Sequence, residues 1–168
     1  ENEDELRAAI ENTKKQVDVA NALGAKLFRH DVCSKIRPSK ISFDMMLPTI
    51  AAACREITGY AERYGIRTCT ENHGFIVQDS DRLERLYNAV NHPNYGILCD
   101  IGNFVCVDEN PVTAVSRVAP YAIHVHAKDM YVRETPADDG YIMTRGAGYF
   151  RGAVFGVGDL PSARSLMI

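Results

Sequence analysis

The sequence predicts an α/β chain with a parallel sheet closed in the manner of a β/α barrel. Apolar stripes at helical spacing alternate with short apolar runs, glycine marks the junctions, and ionisable residues gather at the C-terminal ends of those runs. No Gly-x-Gly-x-x-Gly or Walker loop follows any strand, so a nucleotide-binding open sheet has little support. A barrel places its chemistry at strand C-termini, where the ionisable residues of this chain stand.

Leu6, Ile10, Val17, Ala20 and Leu23 recur at helical spacing over 4–23, and Gly24 follows where a helix stop is expected. A strand is expected from 25 to about 32. A second long helix is expected from Met46, with the stripe Ile50, Cys54, Ile57, Ala61 and Tyr64, stopping at Gly65. Pro48 is tolerated only if it lies in the first turn. The next strand ends in Glu71-Asn72-His73-Gly74. Asp79 or Ser80 caps a third helix carrying Leu83, Leu86 and Val90, and the strand after it ends in Asp100-Ile-Gly-Asn103-Phe104. Asn110 and Pro111 form the cap and first-turn pair of a fourth helix with Val112, Val115, Val118 and Ala119.

The run from Tyr121 to Asp129 closes the series and reads as a buried strand. Side chains two apart share a face, so His124, His126 and Lys128 point one way, and Ile123, Val125 and Ala127 the other. Three ionisable groups on one face of a buried strand are costly unless a metal, a ligand or a counter-charge satisfies them. Glu71, Asp100 and His126 are thereby expected to converge at one edge of the sheet. After Asp129 the pattern gives way to a glycine- and tyrosine-rich stretch over 139–159 with two arginines, which predicts a substrate-covering loop.

The 168 residues, 46% hydrophobic and 24% charged, suit one globular domain. A net charge of −3 and a pI near 6.0 give no basic footprint for nucleic acid, so a small molecule is the expected partner. The five cysteines, Cys33, Cys54, Cys69, Cys99 and Cys106, are odd in number and form no C-x-x-C pair. That argues against a disulfide framework and a thiolate zinc site, and fits a reducing cytoplasm. The acidic start and the lack of a long apolar run predict no signal peptide and no membrane span.

Glu-Asn-His-Gly, Asp-x-Gly-Asn-Phe, His-x-His-x-Lys-Asp and a late Arg-Gly…Gly-x-Gly-Asp, in this order from about residue 20 to 160, resemble the sugar phosphate isomerase/epimerase group of xylose-isomerase-like (β/α)8 TIM barrels. The resemblance implies a divalent metal, manganese, magnesium or zinc, held by a glutamate, an aspartate, a histidine and a second glutamate. By resemblance Glu71, Asp100 and His126 are the first three, and Glu71 is also a catalytic base. The second glutamate has no counterpart here, and a complete barrel needs about 250 residues. The chain is therefore expected to be a partial barrel of strands four to seven, inert alone, with exposed edges that invite homo-oligomerisation.

The chemistry so implied is proton transfer beside a ketose carbonyl through an enediolate, on a sugar or a sugar phosphate. Around the metal, His73 is expected to contact substrate or orient Glu71, against a simple loop role; Asn103 stands where some relatives carry a substrate-touching histidine, and His124 is expected to pack beside or support the ligands among the substrate-binding residues, and not to be a ligand itself. Lys128 and Arg151 are placed to receive a phosphate or a sugar hydroxyl. A structural alternative pairs Glu71 and Asp100 with Arg67, Lys128 or Arg151. Two other classes are an abasic-site-endonuclease-like enzyme, which needs three metals and a basic face, and a non-catalytic remnant of a barrel. His30 and His92 read as ordinary strand-end or loop residues.

Overall fold

The computed structural model describes residues 3–32, 42–136 and 140–168; Cys33 and position 139 lie outside that set. Along the chain run α1 (Glu3–Ala22), β1 (Leu27–Arg29), α2 (Phe43–Glu62), β2 (Arg67–Glu71), α3 (Ser80–Val90) and β3 (Tyr95–Asp100). A short 3-10 turn (Asn103–Val107) leads to α4 (Pro111–Val118) and β4 (Ala122–His126). The chain then forms β5 (Asp129–Arg133), β6 (Ile142–Met143), β7 (Tyr149–Ala153) and α5 (Ser162–Ser165).

β1, β2, β3 and β4 lie in sequence order in one sheet, every neighbouring pair parallel, and together form a curled half-barrel. Consecutive parallel strands need a crossover, and the helices supply it. α2, α3 and α4 pack on one face through Cys54, Leu83, Leu86, Val90, Ala114, Val115 and Val118 against Tyr95, Ile97 and Cys99 of β3. α1 joins through Ile10 and Val17 against Ile57, Ala61 and Ile66. β3 is buried along its whole length because it has strands on both sides and helices behind it.

The helix ends follow their cap residues. Asp79 accepts from the Arg82 amide at 3.2 Å and Asn110 from the Thr113 amide at 3.2 Å, with Pro111 in the first turn. The second helix starts earlier than Met46, because Ser42 caps it by accepting from the Met45 amide. Pro48 therefore sits inside the helix and not in its first turn, on the exposed side, where the Asp44 carbonyl deprived of its intrahelical N–H partner faces water. At the C-terminus of α3, Arg55 reaches across from α2 to donate to the Val90 and Ala89 carbonyls, both at 2.7 Å.

Three expectations change. β1 is three residues long and not eight, since the chain pairs with β2 only from Leu27 to Arg29. β4 is an edge strand: His124, Val125 and His126 are exposed, because the sheet continues on one side of it only. The glycine- and tyrosine-rich stretch supplies β6 and β7, which join β5 in a three-stranded antiparallel sheet of order β5-β7-β6, where a loop was expected. Met130 and Phe150 hold this sheet on Val105 and Cys106. Asp129 accepts from the amides of Met130, Gly156, Gly158 and Leu160 at 2.8 to 3.3 Å and so shapes the Gly-x-Gly-Asp segment.

The added sheet is tied to the strand-end loops. Arg145 donates from its amide to the Cys106 carbonyl at 2.9 Å, and from its guanidinium to the Phe75 carbonyl at 3.1 Å and Asp79 at 2.9 Å. Thr144 donates to Asp108 at 2.6 Å. Among the described residues no helix is long and apolar enough to cross a membrane.

His30, directly after β1, is buried, its Nε2 has no hydrogen-bond partner, and burial pushes its imidazole down to about 4. The unfolded chain binds a proton on this histidine at higher pH than the folded chain does, so stability rises with pH across that window. We expect urea unfolding to show a loss of stability as pH falls from about 6.5 toward about 4. His30→Gln should flatten that part of the profile relative to wild type; an unchanged slope would place the titration elsewhere.

Candidate metal centre

Glu71 ends β2, Asp100 ends β3 and His126 ends β4, so three neighbouring parallel strands deliver their last residues to one sheet edge. In the registers Glu71 is level with Leu98 and Asp100 with His126. Level residues on parallel strands face the same way, so Glu71, Asp100, His124 and His126 all project from the face opposite the helices. His126 Nδ1 lies 3.4 Å from Glu71 Oε1 and 3.7 Å from Asp100 Oδ2. One ligand atom from each of the three falls within 4.8 Å of the others, close to the reach of two metal–ligand bonds of about 2.1 Å.

Both carboxylates are withdrawn from water, with Glu71 6% and Asp100 0% exposed, and their surroundings answer that cost atom by atom. Asp100 Oδ1 accepts from the amides of Gly102 at 3.0 Å and Asn103 at 3.1 Å. Asp100 Oδ2 has no aligned hydrogen-bond donor; Lys128 Nζ stands 2.8 Å from it as an ion-pair partner. Glu71 Oε2 is 2.6 Å from Arg29 Nη2, which also holds Asp31 at 2.8 Å. Glu71 Oε1 accepts from Asn103 Nδ2 at 3.2 Å, and Asn103 Oδ1 accepts from Lys128 Nζ at 3.0 Å.

Burial pushes the Asp100 carboxyl up, against the opposing pull of Lys128 and the two amides. Burial also pushes Glu71 up, yet the charges of Arg29, His126 and Lys128 outweigh it and hold Glu71 below the ordinary carboxylate range. A divalent cation fits this set: it supplies the charge that favours ionised Asp100, and Oδ2 keeps a lone pair free of aligned donors. Two carboxylates and an imidazole are donors that manganese, magnesium and zinc each accept.

The structure brings Glu71, Asp100, His126, Asn103 and Lys128 into one cluster. His124 stands beside it, its ring edge-on to His126 at 5.4 Å between centroids. His73 is at the rim, 3.8 Å from Asp31. Arg151 is placed elsewhere, exposed on β7 with its guanidinium over the rings of Tyr131 and Tyr141. Of the cations expected to pair with the carboxylates, Lys128 does; Arg29 takes the place expected of Arg67 or Arg151. The four described cysteines are buried, and burial pushes the thiols of Cys54, Cys69 and Cys99 up to about 12 and Cys106 to about 11. None of them supplies a thiolate nucleophile near neutrality.

Three supporting residues go beyond those the sequence singles out. Arg29 is the last residue of β1, beside β2, but a strand expected to run to about residue 32 does not mark it as a strand end. Asn72 stands in the Glu-Asn-His-Gly motif, which by itself assigns it no role. Its side chain donates to the Asp100 carbonyl and accepts from the Asp100 amide, both at 2.8 Å, and so extends the β2–β3 ladder past the last residue of β2. Gln78 gave no signal; buried, it accepts from the Phe75 amide at 2.7 Å and donates to the Asn103 carbonyl at 2.8 Å, joining the loops after β2 and β3. Asn72→Ala leaves a buried amide and carbonyl unpaired and should cost about 2–4 kcal/mol in urea unfolding. A loss under about 0.5 kcal/mol, the scale of an ordinary surface change, would show that these two bonds do not hold Asp100.

Against known proteins, a family model described as xylose isomerase-like TIM barrel matches residues 1–164. A comparison with curated protein sequences gives no match. Among solved structures, a xylose isomerase-like TIM barrel protein from Mycobacterium smegmatis in complex with magnesium is similar at 17% identity and a TM-score of 0.75, over 95% of this chain and 55% of that one. A D-allulose 3-epimerase from Methylomonas sp. is similar at 18% identity and TM-score 0.69, over 94% of this chain and 50% of that one. A mannonate dehydratase from Streptococcus suis is similar at 13% identity and TM-score 0.69, over 95% and 56%. The chain thus spans about half the length of these structures, and at such identities the likeness shows the fold alone. Since the family model runs along nearly the whole chain and the half-barrel agrees with it, the chain belongs to the xylose isomerase-like TIM barrel family.

Proposed function

We propose that this chain carries most of the metal site of a sugar or sugar-phosphate isomerase/epimerase that moves a proton beside a ketose carbonyl. The observation that supports it most is the convergence of Glu71, Asp100 and His126 within 4.8 Å, with both carboxylates buried and Asp100 Oδ2 met by the Lys128 ammonium at 2.8 Å. A D-allulose 3-epimerase among the structures of like fold favours the same reading. Glu71, Asp100 and His126 would hold the ion. A divalent ion held there would supply Lewis-acid polarisation of a substrate carbonyl oxygen.

The chain's own residues do the rest. Glu71, kept ionised by Arg29, takes the carbon-bound proton on its carboxylate. Asn103 fixes the Glu71 carboxylate plane while its own amide is oriented by Lys128. Lys128 and His124, at the open side of the cluster, and His73 at its rim are the groups offered to substrate hydroxyls or a phosphate. Arg151 would take part only as a member of the β5–β7 sheet that borders the site. A second carboxylate, which returns the proton in this chemistry, would complete the set.

One group of metal-capable residues is found among the described residues, which favours a single-ion site over the three-metal endonuclease arrangement. The mannonate dehydratase neighbour keeps open a related reaction on a sugar acid, water loss after the same proton abstraction. Calorimetric titration with Mn2+ should give one equivalent per wild-type chain, and Glu71→Gln, which removes a direct ligand, should weaken it by at least about 10-fold, the loss seen even for residues that only orient a ligand, with unchanged circular dichroism. With the second carboxylate present, exchange of solvent deuterium into a ketose should fall by about 10²- to 10⁴-fold in Glu71→Gln. Undiminished exchange would assign the base to another residue.

A further inference from the structure

Between Ile97 and Leu98 of β3 the partner on β4 advances by two residues, from Ala122 to His124, so Ile123 is an extra residue in the parallel ladder. Bulges are uncommon between parallel strands, and next to sites they re-aim side chains. The arithmetic of this one is direct. Without the extra residue Ile97↔Ala122 would be followed by Leu98↔Ile123, Cys99↔His124 and Asp100↔Val125. Because the side-chain period is two, that slip would turn His126 to the helix-covered face and set Val125 beside Asp100. With it, His126 is level with Asp100 and on its side of the sheet.

The room for the bulge comes from a glycine. A Cβ placed on Gly96 would meet Ile123 Cγ2 at 2.6 Å and Ile123 Cδ1 and Cγ1 at 2.8 Å, so the isoleucine side chain occupies the space where any other residue would put its first carbon. A β-branched side chain, stiff at χ1, has little freedom to swing both γ carbons clear. Gly96 is buried in β3 with an ordinary backbone conformation, so the space, and not a left-handed φ, is what calls for glycine.

We propose that Gly96 and Ile123 are a positioning pair: the glycine accommodates the β4 bulge, and the bulge aims His126 into the carboxylate cluster. The inference rests on the metal-site reading for its consequence and on the β3–β4 register for its substance. Its test uses both. Nuclear Overhauser contacts should connect the backbones of Leu98 and His124 in wild type, and of Leu98 and Ile123 in Gly96→Ala. Mn2+ affinity should fall about 10- to 100-fold in Gly96→Ala, and should return to within about twofold of wild type in Gly96→Ala/Ile123→Ala, where the clashing γ and δ carbons are gone.

Where the single variant does not fold, the double variant carries the test, since it should fold with the wild-type Leu98–His124 contact. Wild-type register in Gly96→Ala, or a double variant that lacks the Leu98–His124 contact, would overturn the proposal. A wild-type chain that shows the Leu98–His124 contact but takes up no Mn2+ would count against the metal site and leave the register assignment supported.

Discussion

Two carboxylates buried side by side at neighbouring strand ends set the terms for everything around them. Glu71 and Asp100 together lose most of their contact with water, a cost no protein tolerates without compensation. Compensation arrives from four directions: the Gly102 and Asn103 amides, the Lys128 ammonium, the Arg29 guanidinium and the His126 ring. Each comes from a different strand end or from the turn after one. The site and the topology are therefore one problem, because only a parallel sheet brings so many C-terminal ends to the same edge.

The supporting shell is made mainly of neutral amides, and that choice has a physical reason. Asn72, Asn103 and Gln78 each donate and accept, so each makes two bonds, Asn72 both of them to the Asp100 backbone, without adding charge to a crowded electrostatic site. Asn103 is the junction: its backbone amide holds Asp100, its side-chain nitrogen holds Glu71 and its side-chain oxygen receives Lys128. Outside this shell, Asp79 caps α3 and takes Arg145 from the added sheet, so helix, strand-end loop and β5–β7 sheet share one carboxylate. Order at the site is thus inherited from the secondary structure beneath it.

Much of this was legible in the sequence, because strand-end chemistry and helix periodicity both act locally. The Glu71, Asp100 and His126 convergence followed from alternating elements ending in ionisable residues, and the Asn110-Pro111 helix start followed from cap chemistry. What escaped depended on long-range placement. Arg29 pairs with Glu71 across strands, and Gln78 bridges two loops without any motif. The exposure of β4 reflects its edge position, which apolar alternation does not encode. The antiparallel sheet over β5–β7 hid behind glycines that read as loop, although Met130 and Phe150 anchor it to Val105 and Cys106.

If Glu71, Asp100 and His126 share one divalent cation, anomalous diffraction from crystals of this chain soaked in Mn2+ should show a single strong peak within bonding distance of all three, with Asn72 still bonded to the Asp100 backbone. An ion bound elsewhere, or density in which Lys128 keeps Asp100 Oδ2 while no metal enters, would contradict it.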